Sequence, residues 1–127
     1  MVDTTKCVTV SVTTPTPTIT VTINDVYVTR DGYKTSTIYK GEYTDRYAIC
    51  YNVTVSGVTQ ASVNVTIKAG KDQNNLKTVA GYSQTISSGT YAISMYQLAN
   101  LYIKTDDFLN AVGATDSCVI CVTISYG

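Results

Sequence analysis

The sequence predicts an all-β protein, folded as a two-sheet β-sandwich of the Ig-like or jelly-roll type. Thr, Val and Tyr dominate the 127 residues, and β-branched and aromatic side chains suit a pleated, half-buried surface. Apolar and polar residues alternate with the period of two that a half-buried strand requires. About seven or eight such segments follow one another with turn signals between them, which is typical of a sandwich.

The first predicted strand is Cys7–Thr13, in which Val8, Val10 and Val12 share one face. A Thr-Pro-Thr-Pro run follows it. Proline has no backbone N–H and fixes φ, so this run is expected to be a stiff, extended connector rather than strand interior. The sequence therefore divides into an N-terminal strand (residues 1–14), a connector (15–18) and a β-sandwich domain (19–127).

The next predicted strand, Thr18–Thr29, changes phase in its middle. Its apolar residues lie at odd positions before Asn24-Asp25 and at even positions after it. A slip of one residue would turn the apolar groups to the solvent side, and a β-bulge at Asn24-Asp25 avoids this. A turn is predicted at Arg30-Asp31-Gly32.

The remaining elements follow from the same alternation. The clearest inward face belongs to Tyr47, Ile49, Tyr51, Val53 and Val55, and Val63, Val65 and Ile67 repeat it. Further strands are predicted at 76–86, 90–95 and 117–126. Residues 105–112 break the pattern and predict a short helix, capped by Thr105 or Asp106 and ended by Gly113. Residues 97–101 suggest a second helical turn.

Tyrosine is unusually frequent, with 11 Tyr and no Trp. Residues 33–43 are polar and Tyr-rich, and are predicted to be exposed. Tyr combines a large contact area with a hydrogen-bonding tip, which suits a protein interface. The simpler interpretation is that Tyr47 and Tyr51 belong to the core and that Tyr33, Tyr39 and Tyr43 are there because Tyr favours strands. The two interpretations are compatible.

Charge and composition argue against several functions. The nine basic and nine acidic residues cancel, and no basic patch suggests nucleic-acid binding. No apolar run is long enough to span a membrane. The chain has no His, the usual general acid or base. Asp25, Asp31 and Asp45 match no known calcium loop. We therefore expect no enzyme activity, no cofactor and no metal.

The four cysteines (Cys7, Cys50, Cys118 and Cys121) are an even number in a small β-rich chain, which predicts two disulfides with three possible connectivities. Disulfides indicate an extracellular protein or a hyperthermophilic archaeon. Four reduced, buried thiols are the alternative. The Cys118-Cys121 spacing resembles a zinc or redox motif, but residues three apart in a strand point to opposite faces.

One pairing follows from the strand phases. Cys50 and Cys121 both face outward and would pair if their strands were neighbours. Cys7 and Cys118 would then remain, and their bond would anchor the N-terminal strand either to its own domain or to another subunit. Such a bond contributes about 2–4 kcal/mol.

Two sequons, Asn52-Val53-Thr54 and Asn64-Val65-Thr66, place Asn52 and Asn64 on the polar faces of their strands. An outward-facing Asn leaves room for a glycan. The alternative is that both residues are ordinary outward-facing polar residues of a Thr-rich chain. Glycosylation, if present, supports an extracellular, cell-surface or virion location.

The Thr-, Val- and Tyr-rich strands, the two Asn-Val-Thr sequons and the detached N-terminal strand resemble the subunits of archaeal extracellular filaments, the donor-strand pili and threads. They are similar also to Ig-like surface and coat proteins of archaeal viruses. This resemblance implies a structural protein that self-associates when a strand of one subunit completes the sheet of another. It assigns no functional residue.

The leading hypothesis is therefore a structural subunit whose Val8, Val10 and Val12 enter a groove of a neighbouring copy. The alternative is a monomeric adhesion or ligand-binding module, with the N-terminal strand in its own sheet.

Overall fold

A computed structural model describes residues 2–15, 18–98 and 103–127. In it two antiparallel sheets pack face to face around one hydrophobic core. The β-sandwich predicted from the sequence is confirmed, together with its single short α-helix. None of the described helices is long and apolar enough to cross a membrane.

The strands are β1 (Thr20–Arg30), β2 (Tyr33–Thr35), β3 (Tyr47–Ser56), β4 (Ala61–Gly70), β5 (Leu76–Ile86), β6 (Gly89–Ser94) and β7 (Val119–Ser125). The helix α1 spans Thr105–Val112, and 3-10 turns lie at Thr44–Arg46 and Met95–Gln97. The four-stranded sheet has the order β2-β1-β3-β6, and the three-stranded sheet has the order β5-β4-β7. β2 is a strand that alternation did not predict, because three residues are too few to show a period.

The core lies between β3 and β4, whose inward residues are almost completely buried. Ile49 and Ile67 are both 0 % exposed. The inward faces predicted for these two strands are thus confirmed. Because each is a central strand, each has a neighbour on both sides as well as the other sheet beneath it.

The predicted irregularity in β1 is confirmed. Its register with β3 shifts between Ile23 and Asp25, so Asn24 is the extra residue of a bulge. The predicted turn after β1 is present too, since Asp31 and Gly32 both have positive φ (54° and 86°). Gly32 suits this left-handed conformation because it has no Cβ.

The helix α1 has the predicted bounds, and Gly113 ends it with φ 74°. Its predicted cap was wrong. Lys104 is the N-cap residue, and its backbone N–H donates to Asp107. Thr105 and Asp106 instead hold the preceding loop, because Thr105 donates to the Tyr39 carbonyl at 2.7 Å and Asp106 accepts from the Gly41 N–H at 2.9 Å.

The structure differs from the sequence prediction at one helical turn and at the N-terminal strand. The helical turn expected over 97–101 begins earlier, at Met95, and residues 99–102 lie outside the described part of the chain. The strand expected over Cys7–Thr13 is absent as a strand, because no segment of the described chain pairs with it. Of the predicted connector, Thr16 and Pro17 lie outside the described residues.

Candidate assembly surface

Residues 2–15, here called the N-terminal segment, are exposed along their whole length. Val8, Val10 and Val12 are 85 %, 72 % and 91 % exposed. The predicted alternation is present in the sequence, but none of the residues that the structure describes covers its apolar face. Apolar side chains grouped in this way on a surface commonly mark an interaction site.

The point where the N-terminal segment joins the sandwich is fixed by a close backbone approach. Gly57 follows β3 with φ +88°, and a Cβ on it would lie 1.9 Å from the Thr18 carbonyl oxygen. Only glycine therefore lets the chain pass over the end of β3 into β1. The N-terminal segment leaves the domain at this end of the sandwich.

One side of the sandwich has two unpaired strand edges, and we call it the open side. Within the described part of the chain, β7 pairs with β4 alone, so its other edge is free over all seven residues. β1 pairs with β3 on one side, and on the other side only Val28–Arg30 pair with β2. Unpaired N–H and C=O groups on an edge can accept a further strand.

The core is incompletely covered on the open side. The inward residues of β1 and β7 are only half-buried, although they pack against the core. They are Val21, Ile23, Val26, Val28, Ile120, Val122 and Ile124. Apolar surface remains there for a further strand to bury.

The opposite side of the sandwich is closed by tyrosines. The Tyr51 ring stacks on Tyr91 with 5.9 Å between centroids. The Tyr51 hydroxyl forms hydrogen bonds with Tyr82 and Gln84, both at 2.7 Å. Burial raises the pKa of Tyr51, so this hydroxyl stays protonated. The edges at β5 and β6 are thus bridged by large side chains.

A cleft of about 400 Å³ lies on the open side, beside the start of β7. The four-stranded sheet and the loop after β2 form one wall, and the chain leading into β7 forms the other. Its apolar lining consists of Val28, Ile38, Leu109, Cys118 and Ile120.

A cluster of charged residues holds the cleft's loop wall in place. Arg30 donates two hydrogen bonds to the two carboxylate oxygens of Glu42, at 3.0 and 2.6 Å. Arg46 and the Tyr47 hydroxyl donate to the same carboxylate. The hydrogen bonds from Arg30 and then Tyr47 lower the pKa of Glu42 to about 2. The loop over 36–43 is therefore tied to β1 and β3 by charge.

All four cysteines are free thiols in this structure. The condition under which Cys50 would pair with Cys121 is not met, because β3 and β7 belong to different sheets. Cys50 faces away from the core on one sheet, and Cys121 faces away from it on the other. Cys50 also differs from its prediction in being only 6 % exposed. It lies on a central strand, between Tyr27 and Ala92 of the adjoining strands.

Cys118 and Cys121 lie on the open side, and Cys7 lies on the N-terminal segment. Cys118 packs against the core and lines the cleft, and burial raises the pKa of its thiol. Cys7 is exposed. Cys121 lies on the outer face of β7, next to Lys68. The prediction that Cys118 and Cys121 point to opposite faces agrees with these positions.

The two sequons differ in how free their amides are. Asn52 is half-buried, and its Nδ2 donates to Thr90 at 2.9 Å while its Oδ1 accepts from Asn24 at 2.8 Å. Asn64 is exposed, and its Oδ1 accepts from Ser83 at 2.9 Å. A glycan bonds to Nδ2, so at Asn52 it would have to fit beside Thr90, to which that nitrogen donates. Asn64 is the better-placed acceptor.

The Tyr-rich stretch forms an exposed surface, as predicted. Tyr33, Tyr39 and Tyr43 are 80 %, 52 % and 55 % exposed, and we call them the tyrosine surface. Arg30 lies 5.0 Å from the Tyr39 ring centroid, and Lys104 lies 3.8 Å from that of Tyr43. These cation–π contacts hold the rings in fixed orientations. Tyr47 and Tyr51 are core residues.

Sequence reasoning missed the cleft and the Glu42 cluster. Arg30 and Glu42 are separated by a turn, β2 and a loop, so no local period connects them. The one available signal was a lone Glu between two Tyr residues, in a stretch that is more highly charged than the rest of the chain. The open side was missed because the sheet order decides which strand edges are free.

Among the described residues, no group of three or more His, Cys, Asp or Glu side chains is placed to hold a metal ion. Comparisons with known proteins gave no match to a family model, to a curated protein or to a solved structure. The geometry of the chain itself is therefore the basis for a functional proposal.

Proposed function

We propose that this protein is a non-enzymatic structural subunit of an extracellular filament, or of a virion or cell surface, that assembles by strand addition. The N-terminal segment of one copy adds as a strand to the open side of the next. The observation that carries the proposal is a pair of complementary features in one chain. One is an exposed segment with three apolar residues on one face, and the other is a sandwich with free edges and a half-covered core.

The dimensions of the two features agree. The predicted strand Cys7–Thr13 reaches roughly 23 Å when extended, and β7 has seven residues. Backbone pairing would satisfy the free edge, and pockets for alternate side chains would receive the valines. Burial of each valine contributes at most about 1.5–3 kcal/mol before the cost of ordering the segment.

The contact joins two different surfaces, so it is heterologous. A heterologous contact that does not close into a ring produces a filament. The tyrosine surface supplies a second area for contacts between copies or filaments, because exposed aromatic residues are enriched at interfaces. Partners are therefore other copies of this chain, with no role for nucleic acid or a membrane span.

An extracellular or virion location is part of the proposal. Four cysteines in a small β-rich chain support it, as do two sequons on outer sheet faces. Asn64 is the favoured glycan site because its side chain is exposed. The resemblance to archaeal donor-strand filaments and to archaeal virus surface proteins points the same way.

Deletion of residues 1–14 tests the proposal. We expect the full-length chain to form polymers under the electron microscope and in light scattering, and the deleted chain to remain a folded monomer. A full-length triple variant (Val8→Ser, Val10→Ser and Val12→Ser) is the matched control for length, and it should also be monomeric. Unchanged polymers from the deleted chain, or a full-length chain that stays monomeric at high concentration, would contradict strand addition. The latter result favours a monomeric binding module.

A further inference from the structure

The structure points to the edge at which strand addition occurs and to a covalent bond that locks it. We infer that the N-terminal segment of one copy pairs antiparallel with β7 of the next, and that Cys7 of the first copy forms a disulfide with Cys121 of the second. This inference rests on the proposed function and adds the acceptor edge, the direction and the chemistry of the contact.

β7 is the better acceptor of the two free edges. Its edge is free along the whole strand, whereas the end of β1 is already paired with β2. Addition to β7 also converts the three-stranded sheet into a four-stranded one that matches its partner sheet. Every pair in that sheet is antiparallel, so an antiparallel addition continues the existing hydrogen-bond pattern.

The two faces of the added strand decide which cysteine Cys7 meets. If Val8, Val10 and Val12 point into the core, Cys7 points to the outer face, because successive side chains alternate. Cys121 lies on that outer face of β7, and Cys118 lies on the inner one. Cys7 therefore meets Cys121 rather than Cys118.

The register that aligns Cys7 with Cys121 also fills the cleft. In an antiparallel pair it places Val8 opposite Ile120 and Val10 opposite Cys118. Both are lining residues of the cleft, whose other wall contributes Val28 and Ile38. The two valines thus cover the cleft and the start of β7, and Cys118 becomes covered without being bonded. The rest of β7 lies opposite residues 3–6, with Lys6 facing Val122 and Thr4 facing Ile124.

Directly opposed residues of an antiparallel pair have Cα atoms about 4.5–5.5 Å apart. A disulfide requires a Cα separation of about 4.4–6.8 Å, so the bond fits without distortion of either strand. Each new bond needs an oxidant, which we take to be a low-molecular-weight disulfide. Two thiols lose two electrons and two protons and form one S–S bond, and the oxidant's S–S bond is reduced to two thiols.

Single cysteine variants test the disulfide between copies. The full chain and four variants (Cys7→Ser, Cys121→Ser, Cys50→Ser and Cys118→Ser) are incubated with glutathione disulfide and run on a non-reducing denaturing gel. We expect a ladder of covalent oligomers from the full chain, from Cys50→Ser and from Cys118→Ser. Cys7→Ser should lose the ladder, and so should Cys121→Ser. Cys118→Ala replaces Cys118→Ser if the serine variant does not fold.

Peptide mass mapping of the ladder identifies the bond. A peptide that joins Cys7 to Cys121 of another copy is the expected product. A Cys7–Cys118 peptide, or a Cys7–Cys121 bond within one chain, would overturn the inference. Polymers seen by electron microscopy without any intermolecular disulfide overturn it too, yet leave the proposed function standing. A chain that forms no polymers rejects both.

Strand direction is tested in a chain whose four cysteines are replaced by Ser. Thr9 lies opposite Val119 in the antiparallel register, whereas a parallel strand aligned at the same point would bring it near Thr123. The pair Thr9→Cys and Val119→Cys should therefore cross-link into oligomers, and the matched pair Thr9→Cys and Thr123→Cys should not. The reverse result would overturn the antiparallel direction.

Discussion

The N-terminal segment and β3 have the same sequence pattern and opposite environments. In β3, Ile49, Tyr51 and Val53 alternate with smaller or polar residues, and each is at most 1 % exposed. In the N-terminal segment Val8, Val10 and Val12 alternate in the same way and are 72–91 % exposed. Alternation therefore identifies a face that must be covered for stability, and it does not identify what covers it.

The difference arises from neighbours rather than from local sequence. β3 lies between β1 and β6 in its own sheet and packs on the other sheet, so its backbone and side chains are satisfied within one chain. The N-terminal segment lies beyond a Pro-containing connector and has no such neighbour in the described structure. A second copy supplies one under the proposed function.

The largest expected effect is on the stability of the monomer, where a substitution in β3 and one in the N-terminal segment should differ. Ile49→Ala should lower the free energy of unfolding of the monomer by about 2–5 kcal/mol, because it leaves a cavity between the sheets. Val10→Ala should change it by less than about 0.5 kcal/mol, because the side chain is exposed. Urea denaturation at a concentration below assembly measures both. A loss above about 1 kcal/mol for Val10→Ala would mean that the segment docks on its own domain.

The second-largest effect is on the critical concentration for assembly, and it concerns the inward face of the N-terminal segment. Val10→Thr would bury a hydroxyl in the cleft, which costs about 1–3 kcal/mol when it finds no partner. The critical concentration for polymers should rise roughly 5- to 150-fold. Thr9→Ser removes one methyl group from the outer face of the same strand and should leave that concentration nearly unchanged. Sedimentation across a concentration series measures it, and equal effects of the two variants would argue against an inward valine face.

The parts of the fold that were predictable are those that local pattern determines. The bulge at Asn24, the turn at Asp31-Gly32 and the helix over 105–112 each have a signal within a few residues. The inward faces of β3 and β4 were predictable for the same reason. The Cys7–Thr13 strand was predicted from a valid pattern, but no described segment of its own chain pairs with it.

The features that were not predictable depend on sheet order. Pairing Cys50 with Cys121 required β3 and β7 to be neighbours, and strand phase says nothing about that. The burial of Cys50 depends on the central position of β3, and the cleft depends on which strand edges stay free. Glu42 lies in a stretch that was predicted to be exposed, and its partner Arg30 lies on a strand that only the folded chain brings close to it.

The smallest effect is on the melting temperature and concerns the loop that forms one wall of the cleft. Ion pairs, rather than burial, hold this loop in place. The pKa of Glu42 is lowered from 4.5 to about 2, so its contribution to stability is present above about pH 4.5 and is lost as the pH falls towards 2. Glu42→Gln lacks that contribution at every pH. The melting temperature of the wild type should therefore exceed that of Glu42→Gln at pH 7, and the gap should close between pH 4.5 and 2. Asp31 is kept in both proteins, and the hydrogen bond from Arg46, the main cause of its lowered pKa, does not involve Glu42. A gap that persists at pH 2 would show that the Glu42 side chain stabilises the loop by packing instead of by charge.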